Sequence, residues 1–157
     1  MAVLFLDIDG VLCTPLSVRL DILFRRPMGR QFFDPIALHL LRRLVRRTGA
    51  GIVLSSSWRY SFEDTDPLIQ TIRDHFYRTM EANGTPVRDL APILGQSKGE
   101  EIAAWLDQHP GTGYVILDDR PDEFTRTPAL QARLVLVDSM RGLRRADFRQ
   151  ALALLEG

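Results

Sequence analysis

Four short runs of apolar residues, 3–6, 51–54, 114–117 and 134–137, are separated by stretches with helical periodicity. Each run is apolar throughout rather than alternating, as expected of strands covered on both faces. Strands that alternate with helices pair in parallel, because each crossover carries the chain back over the sheet. The chain therefore reads as α/β, a doubly wound parallel sheet in three layers. At 157 residues it is expected to form a single domain spanning 1–157, large enough to bury a core.

The helical stretches carry their own punctuation. Asp34-Pro35 is a helix start, and Ile36, Leu40, Leu41, Leu44 and Val45 give that helix an apolar face. A second helix is expected over 67–82, and a short edge strand between Pro86 and Pro92. Ser97 with Glu100 is a capping-box pattern for a third helix, and residues 143–155 form an amphipathic closing helix. Residues 12–33 show no clean periodicity and contain Pro15, Pro27 and Gly29, so they read as an irregular, flap-like excursion.

Three of the strands end in polar groups: Asp7 and Asp9, Ser55 and Ser56, and Asp118 and Asp119. In an open parallel sheet, ligands bind at the carboxyl ends of the strands, so the three sets share one edge. Singly, each has a structural explanation as a cap or a loop; together they point to a site. Asp7 and Asp9 start on the same face, and such a carboxylate pair needs a cation or a shared proton. Mg²⁺ suits oxygen-rich clusters, with Asp7 and one of Asp118 and Asp119 as its holders. Asp7 is then the candidate nucleophile, and Asp9 the group that moves protons. Ser55 offers a hydroxyl to phosphate oxygens. Lys98 is the only lysine among 20 basic side chains, and it stands at a helix start, so it is assigned to the site rather than to the surface.

In this order the residues resemble the haloacid dehalogenase-like (HAD) superfamily of phosphohydrolases. Asp7-Ile-Asp9-Gly-Val matches its first motif, Ser55 its second, Lys98 its third and Leu117-Asp118-Asp119 its fourth. The resemblance covers essentially the whole chain. It implies an aspartyl-phosphate formed on Asp7, and Asp9 as acid/base with its backbone carbonyl on the metal. Ser55, in preference to Ser56, and Lys98 would bind the phosphoryl group, and Asp118, with Asp119, would complete the Mg²⁺ site. Ser56-Ser-Trp-Arg59 and Asp118-Asp-Arg120 look like the small members without a large cap, including HAD domains of RNA-repair proteins and, more distantly, the 3′-phosphatase domain of polynucleotide kinase. Arg59 is accordingly a candidate for substrate binding.

The expected activity is a phosphoric monoester hydrolase acting on a phosphorylated substrate, with a nucleotide or nucleic-acid end among the candidates. Arg25, Arg26, Arg30, Arg59 and Arg120 could line a path for a polyanion, although an arginine-biased surface explains them as well. Trp58 is either a base-stacking platform or, the favoured reading, a core residue beneath the excursion. His39, His75 and His109 are scattered and suggest no metal site. A signalling receiver domain is disfavoured because Lys98 precedes the Asp118 strand. A nonenzymatic nucleic-acid-binding domain is disfavoured because every catalytic residue type is present. The net charge is zero, so no global field draws the chain to nucleic acid or membrane. No run is long enough to span a membrane. A lone cysteine, Cys13, and an opening stretch unlike a secretory leader give a cytoplasmic expectation.

Overall fold

The computed structural model describes residues 1–157. Its centre is a five-stranded, all-parallel sheet. The strands are β1 (Ala2–Leu6), β2 (Gly51–Leu54), β3 (Val87–Leu90), β4 (Gly113–Asp118) and β5 (Leu134–Leu136), in spatial order β3-β2-β1-β4-β5. The order reverses at β1, which makes its carboxyl end the switch point of the sheet.

The helices are α1 (Pro15–Leu23), α2 (Pro35–Thr48), α3 (Pro67–Ala82), α4 (Lys98–Gln108), the single turn α5 (Pro128–Gln131) and α6 (Arg145–Glu156). Side-chain alternation divides them between the two faces of the sheet. Leu4, Leu6, Ile52, Leu54, Val115 and Leu117 join one core with Leu40 and Leu44 of α2, Phe76 of α3 and Phe148 of α6. The alternate residues Val3, Phe5, Val53 and Ile116 meet Ile102 and Trp105 of α4, with Phe124 and Leu130. This is the expected doubly wound, three-layer fold, with no large cap domain.

The helix starts obey the sequence signals. Asp34 accepts from the backbone N–H groups of Ile36 and Ala37, and Ser97 and Glu100 close a capping box at α4. Asp34 is fully buried and also receives the Thr14 hydroxyl and the Arg144 guanidinium, which tie the starts of α1 and α6 to that of α2.

One expectation is corrected. Residues 12–33 are not an irregular flap, because a nine-residue helix, α1, occupies their first half. Thr14 and Ser17 form a capping box around Pro15, so its start is well signalled, yet only Ser17 of the helix is buried. A helix with no face in the core needs no apolar stripe, and periodicity could not find it. The remainder returns to α2 along α3, where Gly29 packs against Leu68, Thr71 and Ile72.

Candidate active site

The register of the sheet assembles the site. Leu6 of β1 pairs with Leu54 of β2 and with Leu117 of β4. The residues one step beyond, Asp7, Ser55 and Asp118, therefore stand side by side at the ends of three adjacent strands. Backbone bonds from Asp7 N–H to Leu117 O (3.1 Å) and from Ser55 N–H to Leu6 O (3.0 Å) carry the ladder to this row. Because Leu6, Leu54 and Leu117 face one core, the row beyond them faces the other, where α4 lies.

Lys98 opens α4 on that side. Its Nζ lies 3.0 Å from Asp7 Oδ2 and 2.8 Å from Asp118 Oδ2, and all three residues are buried. Burial opposes the ammonium charge, but Asp118 and Asp7 more than offset it, so its pKa sits above the ordinary lysine value. The start of α4 is fixed by Glu123, which accepts the Lys98 backbone N–H at 3.0 Å.

Carboxylate oxygens of Asp7, Asp118 and Asp119 lie within 4.8 Å of one another. Burial, and then the charge of Asp7, push Asp118 up to about 6 against the pull of Lys98. Burial and Asp7 raise Asp119 as well. Asp119 reaches this position because residue 10 is glycine. Gly10 has φ +75°, and a Cβ there would run into the Asp119 carboxyl group.

Asp9 is more exposed. It receives a hydrogen bond from Trp58 Nε1 to Oδ2 at 2.9 Å. Burial raises its pKa, the Trp58 bond pulls it back, and Asp7 raises it further. Trp58 packs against Phe33 and Phe76, as expected of a residue beneath the 12–33 segment. Its grip on Asp9 was not visible in a sequence separation of 49 residues. Cys13 is no competing nucleophile, since burial and then Asp9 hold its thiol protonated.

The two serines separate clearly. The Ser56 hydroxyl accepts from Trp58 N–H at 3.4 Å and caps the 3-10 turn Ser57–Ser61. Ser56 is fully buried and its oxygen serves the turn, so of the two expected serines Ser55 is the one without a structural task. The Ser55 hydroxyl is buried with no partner at all, an arrangement that costs about 1–3 kcal/mol unless a ligand satisfies it.

Arg59 also requires correction. Its guanidinium is buried, 2.6 Å from Glu101 Oε2 and bonded to the carbonyls of Ser56, Ala91 and Pro92. Every donor direction points into protein, which leaves no free edge for a phosphate. Arg120 remains beside the site, paired with Asp122 and Glu123.

A cavity of about 230 Å³ opens at the Asp7 end of the row, lined by Asp7, Asp9, Lys98 and Asp119 and also by Ser57, Tyr60 and Gln96. Sequence reading missed the last three. Tyr60 is positioned by Glu101, 3.3 Å from its hydroxyl, and no local motif announces that contact.

The family model for the HAD domain in Swiss Army Knife RNA repair proteins matches residues 3–148. The chain belongs to this family. The match takes in all five strands, save Ala2 of β1, and every acidic residue of the site. No curated protein matches the chain. Membership supports a HAD-type hydrolase. No helix of this HAD domain is long and apolar enough to cross a membrane.

Proposed function

We propose that this HAD domain is a Mg²⁺-dependent phosphomonoester hydrolase that works through an aspartyl-phosphate on Asp7. The observation that carries the proposal is the aligned row of Asp7, Ser55 and Asp118 around Lys98. There, three clustered carboxylates meet one ammonium. The surplus negative charge, all on hard oxygen donors, fits Mg²⁺ held by Asp7, Asp118 and Asp119, with the Asp9 backbone carbonyl as a further donor. When bound, the ion would neutralise charge between carboxylate and phosphate.

The residues divide the remaining work. Lys98 and the unpartnered Ser55 hydroxyl hold phosphoryl oxygens. An Asp7 oxygen attacks phosphorus, the ester P–O bond breaks, and the leaving oxygen takes a proton from Asp9. Asp9 then removes a proton from water, whose oxygen attacks phosphorus, and the bond to Asp7 breaks to release phosphate. Burial and Asp7 raise the Asp9 pKa, which suits a carboxyl group that must be protonated in the first step. The kinship with RNA-repair domains favours a nucleic-acid end as the phosphomonoester. The lone Cys13 suits a reducing, cytoplasmic setting.

Phosphate release from an aryl phosphate with Mg²⁺, wild type against Asp7→Asn, tests the proposal. The variant is expected to lose at least about 10³-fold in kcat. Equal rates in the two proteins would overturn it.

A further inference from the structure

One further cavity adjoins the reaction cavity, and a second adjoins that one. The first, about 290 Å³, is lined by Trp58, Phe62, Ile69, Ile72 and Gln31, and it shares Ser57 with the reaction cavity. Two aromatic rings and two isoleucines give it an apolar wall, Gln31, Ser57 and Ser61 a polar one, and it meets the reaction cavity at Ser57. The second, also about 290 Å³, follows along α3 and is lined by Arg26, Arg30, Arg78, His75, Thr71 and Asp74, with Pro27 its one apolar side chain. The two adjoin at neighbouring residues, Arg30 with Gln31 and Thr71 with Ile72, and His75 Nε2 donates to Gln31 O at 2.6 Å.

The basic pocket is built rather than incidental. Arg26 Nε donates to Arg30 O at 2.8 Å, and its guanidinium lies 4.6 Å over the Phe32 ring. Phe32 N–H is itself held by Asp21. Arg25, just before, takes the left-handed φ of +48° as the chain turns off α1. Asp74, the one acid in the pocket, is 3.1 Å from Arg73. Arg26, Arg30 and Arg78 form no ion pair with any carboxylate.

We infer that these cavities are the substrate track of an oligonucleotide, a reading that rests on the proposed phosphatase. The terminal phosphate lies at Asp7, its nucleobase in the Trp58–Phe62–Ile72 slot, and the next phosphodiester on Arg26, Arg30 and Arg78. The order phosphoryl site, apolar aromatic slot, cationic pocket repeats the order phosphate, base, phosphate in a strand. Gln31 supplies an amide where a base edge would lie. A small phosphorylated metabolite would fill the reaction cavity and leave the arginine pocket without a role.

The test uses the full chain carrying Asp7→Asn, so that binding is read without turnover. Fluorescence anisotropy follows a short labelled oligoribonucleotide with a terminal phosphate, across a salt series with Mg²⁺. Adding Arg30→Ala and Arg78→Ala is expected to weaken binding at least about tenfold and to reduce the salt slope by about 0.7, the share of one phosphate on a single strand. Ile69→Glu, which places a carboxylate in the slot, is expected to weaken it similarly. Both arginines are exposed, so an unchanged melting temperature accompanies the effect. In the active protein, the double substitution should lower the preference for the oligonucleotide over an aryl phosphate by the same factor. Unchanged affinity in the double variant overturns the inference. So does tight binding of a phosphopeptide with no binding of the oligonucleotide. Arginine-dependent oligonucleotide binding with an inactive wild type keeps the track and removes the phosphatase.

Discussion

Two buried charge clusters sit within one helical turn of each other and do different things. Lys98 and Glu101 both lie in the first turn of α4. Glu101 pairs with Arg59, one charge against one, and the pair is closed on every side. Arg59 also serves three backbone carbonyls, while Glu101 receives Leu94 N–H and Tyr60. Lys98 faces Asp7 and Asp118, with Asp119 close by and a buried Ser55 hydroxyl unsatisfied. Burial therefore does not tell a structural cluster from a reactive one. Charge balance and hydrogen-bond closure do, because a cluster left uneven has to be completed by something from outside.

The largest expected effect is on the closed cluster. Glu101→Ala strands the buried Arg59 charge and is expected to cost about 3–5 kcal/mol, a fall of about 10 °C or more in melting temperature. Asp7→Asn, equally buried, should not lower the melting temperature, since it removes a like charge from a crowded group. Comparable losses by calorimetry in the two variants would break the distinction.

A smaller effect sharpens the other side. Asp118 has a carboxyl pKa of about 6, and that of Asp119 is also raised. Between the ordinary carboxylate value and these, the folded protein holds more protons than the unfolded chain. The stability due to these groups is thus fully present below about pH 4 and is lost as pH rises through the folded values. Without divalent metal, Asp119→Asn is expected to melt about 2–4 °C higher than wild type at pH 8, with the gap narrowing toward pH 4 and the Mg²⁺-induced rise in melting temperature reduced. A variant less stable than wild type at pH 8 would contradict the surplus-charge account.

The smallest effect concerns the end of α1, which belongs to neither cluster. Arg25 N–H bonds to Ile22 O and Arg26 N–H to Asp21 O, closing α1 with Arg25 where glycine is the usual residue. Arg25→Gly is expected to stabilise by no more than about 1 kcal/mol, read as a small shift in the urea midpoint.

Most of the fold was legible because its signals are local. Continuous apolar runs gave the strands, Asp34 and Ser97 gave two helix starts, and the polar strand ends gave the site's edge. The row of Asp7, Ser55 and Asp118 follows from where those runs stop. What sequence could not show depends on distant partners. The destination of Arg59 is decided by Glu101 and by carbonyls more than 30 residues away, so an arginine beside a motif serine looked like a ligand for phosphate. The Trp58–Asp9 bond and the exposed helix α1 were hidden for related reasons, one being non-local and the other lacking a buried stripe.

The register of β1 has a consequence for how this domain can vary. Leu6 is locked between Leu54 and Leu117, and the nucleophile is the very next residue. Exchanging one aliphatic side chain for another within the strand leaves that position untouched. Losing or gaining a single residue there swings Asp7 to the opposite face of the sheet, against the core of α2 and α6. Sequence drift in this strand is therefore confined to changes of identity, and changes of length are forbidden by the chemistry at its end.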